Sequence, residues 1–147
     1  MSIGSDRIHD ALIVGSGAAG GAAAFHLAAA GHDVVVLERD TELRIKPCGG
    51  GMAASVQQWF PFSLEPAVEQ VIRQVDFSWC LNDPVIAELP GAAPFWIVRR
   101  ELLDQLLSEQ AIQAGVERIN GVDVDDVTRQ GDVWTVTSTD QRQWRGR

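Results

Sequence analysis

The sequence predicts a fold of the α/β class, and three features of residues 10–39 carry this prediction. Two apolar runs, residues 11–14 and 34–37, have the length and composition of buried parallel strands. Between them, the small residues at 18–30 predict a helix, and a glycine-rich turn precedes that helix. Strand, turn, helix and strand in this order form a βαβ unit.

The glycines of this turn have the spacing that favours a phosphate ligand. Gly15 permits the tight turn out of the first strand, Gly17 lets a phosphate approach the backbone, and Gly20 lets the helix pack closely. Ala19 lies in the first helical turn, where free N–H groups and the positive dipole end attract anions. The unit is Rossmann-like, and we expect it to hold the pyrophosphate of a dinucleotide. A glycine-rich turn without a ligand is the alternative.

An acidic residue ends the second apolar run. Glu38 stands eighteen positions after the last glycine of the turn, where a carboxylate accepts hydrogen bonds from ribose hydroxyls. Because a carboxylate repels a 2′-phosphate, Glu38 favours FAD or NAD over NADP. Arg39 follows it directly and completes the segment expected beside the ribose.

Composition excludes several classes of function. The chain has 147 residues and a net charge of −8, which argues against nucleic acid and against anionic membrane surfaces as partners. Two cysteines, Cys48 and Cys80, are too few for a disulfide framework, and no Cys/His cluster suggests a metal site. We find no apolar run of transmembrane length and expect a cytoplasmic protein. Peripheral membrane contact stays open.

The rest of the chain mixes short helices with antiparallel strands. Leucines at helical spacing predict an amphipathic helix over 101–114, which Gly115 ends. Alternating residues predict a hairpin after it and a further strand at the end of the chain. The remaining expectations are a short helix at 52–60, a helix or a helix leading into a strand at 64–75, strands at 75–81, 84–90 and 94–99, and a turn at 82–84.

A second glycine-rich segment, KPCGGGM at residues 46–52, follows the βαβ unit. Three successive glycines form a backbone that can lie against a flat ligand and offer several N–H donors. A flexible loop with a buried thiol is the alternative, and the residues alone do not decide between the two.

Four segments in order, GSGAAGG, VVVLER, KPCGGGM and VRRELLDQLL, resemble the geranylgeranyl reductase family. These are FAD-dependent oxidoreductases with a fold like that of p-hydroxybenzoate hydroxylase. The resemblance covers nearly the whole chain, and KPCGG is its most specific part. It implies FAD at the first turn and reduction of C=C bonds in a geranylgeranyl or other polyprenyl chain. It also implies NADPH or a reduced carrier protein as the electron donor.

The resemblance extends to further cofactor-binding residues. Cys48, Gly49 and Gly51 resemble the loop along the flavin, and Cys48 is the candidate for a catalytic role. Arg100 resembles the arginine that opens a helix and reaches FAD, and its spacing to the following leucines selects it over Arg99. Val124 resembles the residue whose backbone borders the adenosine.

Family members are much longer than this chain, so we expect an N-terminal portion that is inactive alone. The predicted architecture is a Rossmann-like FAD-binding domain with an antiparallel β segment and part of a second, substrate-domain sheet. Residues 1–58 and 99–147 are expected to belong to the FAD-binding domain, and 59–98 to the substrate-binding domain. With a strand absent, the parallel sheet would have an open edge.

Two other functions remain open from the sequence. A flavin monooxygenase of the same overall group would use oxygen and an aromatic substrate, although the KPCGGG segment favours the reductase. A non-catalytic module would bind a dinucleotide for structure or sensing.

Overall fold

The structure, a computed structural model, describes residues 7–41 and 45–147. The strands are β1 (Ile8–His9), β2 (Ala11–Val14), β3 (Val34–Glu38), β4 (Gly51–Ala53), β5 (Val68–Ile72), β6 (Gln74–Trp79), β7 (Asn82–Glu88), β8 (Phe95–Val98), β9 (Glu117–Asn120), β10 (Val124–Gln130), β11 (Val133–Ser138) and β12 (Gln143–Gly146). The α-helices are α1 (Ala18–Ala29) and α2 (Arg100–Gln113), and 3₁₀ helices span Ala54–Trp59 and Glu65–Ala67. The chain divides into two compact units, a first unit of residues 1–44 and 104–147 and a second unit of residues 45–103.

The first unit contains the predicted βαβ arrangement. Strands β2, β3 and β9 form a parallel sheet in that order, and α1 packs against β2 and β3. The first four residues of β3 are buried, as expected for a parallel strand covered on both faces. Val35 and Leu37 pack with Val122 and Val136 in the core of this unit. The predicted α/β class is therefore confirmed, and β2 lies at an edge of the parallel sheet.

An antiparallel segment completes the first unit. Strands β10 and β11 form the predicted hairpin, β12 pairs antiparallel with β11, and β1 pairs parallel with β12. The turn of the hairpin falls at Gly131, whose φ of +65° suits glycine.

Helix α2 confirms the prediction made from its leucines. Leu103, Leu107 and Ala111 recur four residues apart and are buried, and Gly115 follows the helix with a φ of +105°. Within the first unit, a Cβ placed on Gly21 of α1 would lie 3.0 Å from the Cβ of Leu107. The small residues of α1 therefore allow a close approach between the helices.

The second unit is built from antiparallel strands. Strands β4, β8 and β5 form one sheet in that order, and β6 and β7 form a separate hairpin. Trp96 of β8 is buried, whereas Trp79 at the end of β6 is exposed.

Three details of the second unit differ from the predictions. Residues 52–60 form β4 and a 3₁₀ helix rather than one short helix, because Met52 and Ala53 pair with Trp96 and Phe95 of a strand far along the chain. In the segment 64–75, a 3₁₀ turn leads into β5 and then into the first residues of β6. The predicted helix leading into a strand is therefore nearer to the structure than the predicted single helix.

The third difference is the position of a turn. The hairpin between β6 and β7 turns at Cys80 and Leu81, and residues 82–84 belong to β7. Both turn residues have positive φ, 48° and 61°, as a type I′ hairpin turn requires. Because non-glycine residues seldom adopt this conformation, nothing in Cys80 and Leu81 indicates a turn. The polar residues at 82–84 give the stronger turn signal, and the prediction therefore placed the turn there.

Candidate cofactor site

The first glycine turn has the close packing that its spacing predicts. The N–H of Gly15 donates to the carbonyl of Leu37 over 2.8 Å, and the φ of Gly15 is +92°. A Cβ on Gly20 would lie 1.9 Å from the carbonyl oxygen of Gly15. Glycine at position 20 is therefore a steric requirement of the turn. A Cβ on Gly15 would meet no atom within 4 Å, so the turn has open space on that side.

The N-terminus of α1 opens on this turn. Gly17 precedes the helix with extended backbone angles, and no described side chain caps the first turn. The N–H group of Gly21 already donates to the carbonyl of Gly17 over 2.7 Å. The N–H groups of the preceding helical residues, which include the exposed Ala19, lie in the part of a helix that lacks intrahelical acceptors. Such groups are suited to bind a phosphate.

Glu38 reaches back from the end of β3 to the glycine turn. Its Oε2 accepts the backbone N–H of Ser16 over 2.6 Å and the hydroxyl of Ser16 over 2.7 Å. Its Oε1 accepts the backbone N–H of Asp40 over 2.9 Å. The carboxylate expected at the ribose is thus fixed to the turn expected at the pyrophosphate. The structure brings Gly15, Gly20 and Glu38 together.

These contacts also determine the charge of Glu38. Burial alone would raise the pKa of its carboxyl, but hydrogen bonds from the backbone of Asp40, and from the backbone and hydroxyl of Ser16, outweigh that effect. The positive charge of Arg118 acts in the same direction, so the pKa of Glu38 lies below its ordinary value. Glu38 is therefore an anion throughout the neutral range, as repulsion of a 2′-phosphate requires.

The other predicted residues of the first unit have different surroundings. Arg39 is exposed, and its Nε lies 3.7 Å from Oδ1 of Asp40. Val124 starts β10 and packs against the buried cluster that contains Leu37. A role of either residue toward FAD stays a prediction.

The second glycine segment holds a defined conformation in the second unit. Gly50 is buried with a φ of +70°, and its carbonyl accepts the N–H of Val98 over 2.9 Å. A Cβ on Gly50 would lie 2.0 Å from the carbonyl oxygen of Val98. Cys48 is exposed, and its Sγ accepts the N–H of Gly50 over 3.4 Å. The alternative, a flexible loop with a buried thiol, is therefore wrong in one respect, because the thiol is exposed.

The remaining predicted residues of the second unit are Gly49, Gly51 and Arg100. Both glycines are exposed, and a Cβ on Gly49 would meet no atom within 4 Å. Arg100 is the first residue of α2 and is half-buried, whereas Arg99 is exposed. Sequence reasoning missed Ser16, which joins the first glycine turn to Glu38, and Gly50, which joins the second glycine segment to Val98.

Metal-ligand clusters and membrane-spanning helices are both absent from the described residues. Within residues 7–41 and 45–147, no group of His, Cys, Asp or Glu side chains is arranged to hold a metal ion. Over the same ranges, every helix is too short or too polar to span a membrane.

Comparison with known proteins identifies the family. The profile described as "FAD binding domain" matches residues 10–94, more than half of the chain. The chain belongs to this family. FAD is therefore the dinucleotide expected at the glycine turn, and the chain is a member of a family of FAD-dependent oxidoreductases.

Curated relatives include a quinone oxidoreductase and a reductase. A probable electron transfer flavoprotein-quinone oxidoreductase of Escherichia coli K12 is 34% identical over 138 residues, 86% of this chain and 32% of that protein. The chloroplastic geranylgeranyl diphosphate reductase of Oryza sativa subsp. japonica is 37% identical over 114 residues, 75% of this chain and 24% of that protein. The chain thus spans about a third of the length of the first relative and a quarter of the second. The resemblance to geranylgeranyl reductases is confirmed.

A solved structure shows the same fold. A geranylgeranyl bacteriochlorophyll reductase-like protein from Thermoplasma acidophilum superimposes with a TM-score of 0.78, over 96% of this chain and 37% of that protein. The sequence identity is 18%, so this likeness concerns the fold.

The residues of the first unit fit FAD. Open space beside Gly15, the uncapped start of α1 and the anionic Glu38 provide N–H donors for phosphate and an acceptor for ribose hydroxyls. The same carboxylate disfavours a 2′-phosphorylated dinucleotide.

Proposed function

We propose that this chain supplies the FAD-holding part of an oxidoreductase that reduces C=C bonds of a geranylgeranyl or other polyprenyl chain. The observation that carries the substrate class is the 37% identity to a geranylgeranyl diphosphate reductase over 114 residues. The KPCGGGM segment supports it. NADPH or a reduced carrier protein is the proposed electron donor. The division into an FAD-binding domain, 1–58 and 99–147, and a substrate-domain excursion, 59–98, stays a prediction.

In this proposal each site residue binds or orients the cofactor. FAD, when bound, supplies the hydride chemistry. The N–H groups around Gly17 and Ala19 hold the pyrophosphate, and Glu38 accepts the adenosine ribose hydroxyls. Arg39 and Val124 border the adenosine.

The second unit supplies the remaining proposed contacts. Gly49 and Gly51 are proposed to lie along the flavin, together with Cys48, whose thiol is exposed. Arg100 donates hydrogen bonds to FAD, for which a guanidinium has good geometry.

A second candidate activity comes from the other relative. The probable electron transfer flavoprotein-quinone oxidoreductase matches a larger share of this chain, 86% against 75%. In that case electrons from a carrier flavoprotein would reach a quinone. The flavin monooxygenase and the non-catalytic module are further outcomes that the experiments below separate.

The first experiment measures cofactor choice. We expect the purified chain to bind FAD, with the two visible absorption bands of a flavin and a dissociation constant measurable by flavin fluorescence, and to bind NADP weakly. A colourless protein that binds NAD and not FAD would contradict the proposal and favour the non-catalytic module.

The second experiment measures substrate choice. The matched part of this chain replaces the corresponding segment of the rice reductase, and the flavin-loaded chimera is assayed with geranylgeranyl diphosphate, a short-chain quinone and an aromatic substrate. We expect reduction of geranylgeranyl diphosphate, as in the unaltered rice protein. Activity confined to quinone would favour the second candidate, and oxygen-dependent hydroxylation would favour the monooxygenase. A folded, flavin-loaded chimera that is inactive on all three would contradict the proposal.

Glu38 makes the cofactor site sensitive to acid. Its pKa is lowered in the folded protein, so its contribution to the free energy of unfolding is complete above the ordinary value of 4.5 and is lost as the pH falls through the lowered pKa. Glu38→Gln removes this dependence. We expect FAD affinity to fall about tenfold near neutral pH, and discrimination against NADP to weaken, because an amide accepts fewer hydrogen bonds and carries no charge.

The measurement is FAD titration from pH 3.5 to 8 for both proteins. Asp140→Asn is the control, because Asp140 also has a lowered pKa but lies in the turn before β12. An unchanged affinity in Glu38→Gln, or an equal loss in Asp140→Asn, would contradict the role assigned to Glu38.

A further inference from the structure

Ser16 has no assigned role, yet it donates two hydrogen bonds to Glu38. Its backbone N–H and its hydroxyl donate to the same carboxylate oxygen over 2.6 and 2.7 Å. Ser16 is buried, with 8% of its surface exposed, although it lies in a turn that opens to solvent. Since an ionised carboxylate only accepts hydrogen bonds, the hydroxyl of Ser16 is the donor.

The hydrogen bonds around Glu38 limit how it can receive a ribose. A carboxylate has about four acceptor positions. Ser16 fills two of them and the N–H of Asp40 fills a third on the other oxygen. The carboxylate is therefore held in one orientation before any ligand arrives, and Oε1 is the less occupied of its two oxygens for accepting the ribose hydroxyls. Groups held in advance lose less conformational freedom on binding.

We propose that Ser16 is a positioning residue for the cofactor, and that its hydroxyl holds the Glu38 carboxylate, charged and correctly oriented, for the adenosine ribose. The inference rests on the proposed FAD site. It adds Ser16, between Gly15 and Gly17, as a residue that sets how strongly the site binds FAD.

Removal of the hydroxyl has a defined consequence. Ser16→Ala keeps the backbone N–H contact and loses the side-chain contact. A lost hydrogen bond to the charged form raises the pKa of the Glu38 carboxyl. We expect FAD affinity to fall about three- to tenfold near neutral pH, and the acidic limit of FAD binding to move to higher pH. Ser16→Gly makes the same deletion, and it tests the proposal if the alanine variant does not fold.

A matched control exists in the same unit. Ser138 is fully buried, and its hydroxyl donates to the carboxylate of Asp140, whose pKa is lowered for the same reason. Ser138→Ala therefore deletes a hydrogen bond of the same kind in the turn that precedes β12. We expect it to change the titration of Asp140 and to leave FAD affinity within about twofold of the wild type.

The experiment has two independent readouts on the 147-residue chain. Carboxyl NMR follows the titration of Glu38 without cofactor, and flavin fluorescence gives FAD affinity against pH for Ser16→Ala, Glu38→Gln and the double variant. If Ser16 acts through Glu38, Ser16→Ala has little further effect once Glu38 is Gln. An unchanged Glu38 titration in Ser16→Ala overturns the inference. Equal FAD losses in both backgrounds also overturn it, since Ser16 would then act only on structure.

The failure of the proposed function gives a different result. If the folded wild-type chain does not bind FAD, the cofactor site itself is wrong and the inference falls with it. The NMR titration still reports in that case whether the Ser16 hydroxyl holds Glu38.

Discussion

Gly20→Ala is expected to abolish FAD binding and to lower the free energy of unfolding by roughly 3 kcal/mol or more. The added Cβ would lie 1.9 Å from the carbonyl oxygen of Gly15 and 3.0 Å from its carbon. Both atoms belong to the backbone, so no side-chain rotation relieves the overlap. Either α1 moves away from β2 or the turn changes shape, and both displace the N–H groups proposed to hold the pyrophosphate. Denaturant unfolding and FAD titration measure the two losses.

Alanine substitutions at two other glycines distinguish the cost of steric overlap from the cost of backbone strain in the free energy of unfolding. A Cβ on Gly15 meets no atom within 4 Å, but its φ of +92° is unfavourable for alanine, so Gly15→Ala should cost about 1–2 kcal/mol. Gly49 has the same open space, and its φ is outside the positive range, so Gly49→Ala should stay within about 0.5 kcal/mol of the wild type. An unfolding free energy for Gly20→Ala above that of Gly15→Ala would contradict the packing described here.

The βαβ unit was predictable because its signals are local. The strands, the glycine spacing, the helix and the acidic residue all fall within residues 10–39. Apolar runs indicate the strands, and small residues indicate the helix. The amphipathic face of α2 is local in the same sense. In both cases the structure has the predicted elements, with bounds that differ by at most one residue at either end.

Contacts between distant residues could not be predicted in this way. Ser16 and Glu38 are 22 positions apart, and nothing in the pattern GSG distinguishes a serine that faces solvent from one that donates to a carboxylate. Residues 52–53 became a strand because they pair with β8, more than forty positions later. The structure of a short apolar segment depends on the strand with which it pairs, and the local sequence pattern does not identify that strand.

The three glycines of KPCGGGM show the same division between local pattern and distant contact. Their flexibility was evident from the sequence, but the structure separates their roles. Gly50 is held against Val98, almost fifty positions later, and has positive φ. Gly49 has no such contact, and Gly51 lies against the ring of Phe95.

Gly50→Ala should therefore be far more damaging to the second unit than Gly49→Ala. The new Cβ would lie 2.0 Å from the carbonyl oxygen of Val98, and the φ of +70° would add strain for any residue with a side chain. We expect a loss of roughly 3 kcal/mol or more in the free energy of unfolding. Hydrogen exchange of the Val98 amide, which donates to Gly50, should rise with it.

Gly49→Ala supplies the comparison that separates structure from ligand binding. Its methyl group meets no protein atom, so stability should be unchanged while FAD affinity falls, because the methyl group would occupy the space proposed for the flavin. If both variants left stability unchanged, the segment would be a flexible tether and the register of Gly50 against Val98 would be wrong. If Gly49→Ala left both stability and FAD affinity unchanged, the open side of this segment would face solvent, and the proposed flavin contact of Gly49 would be withdrawn.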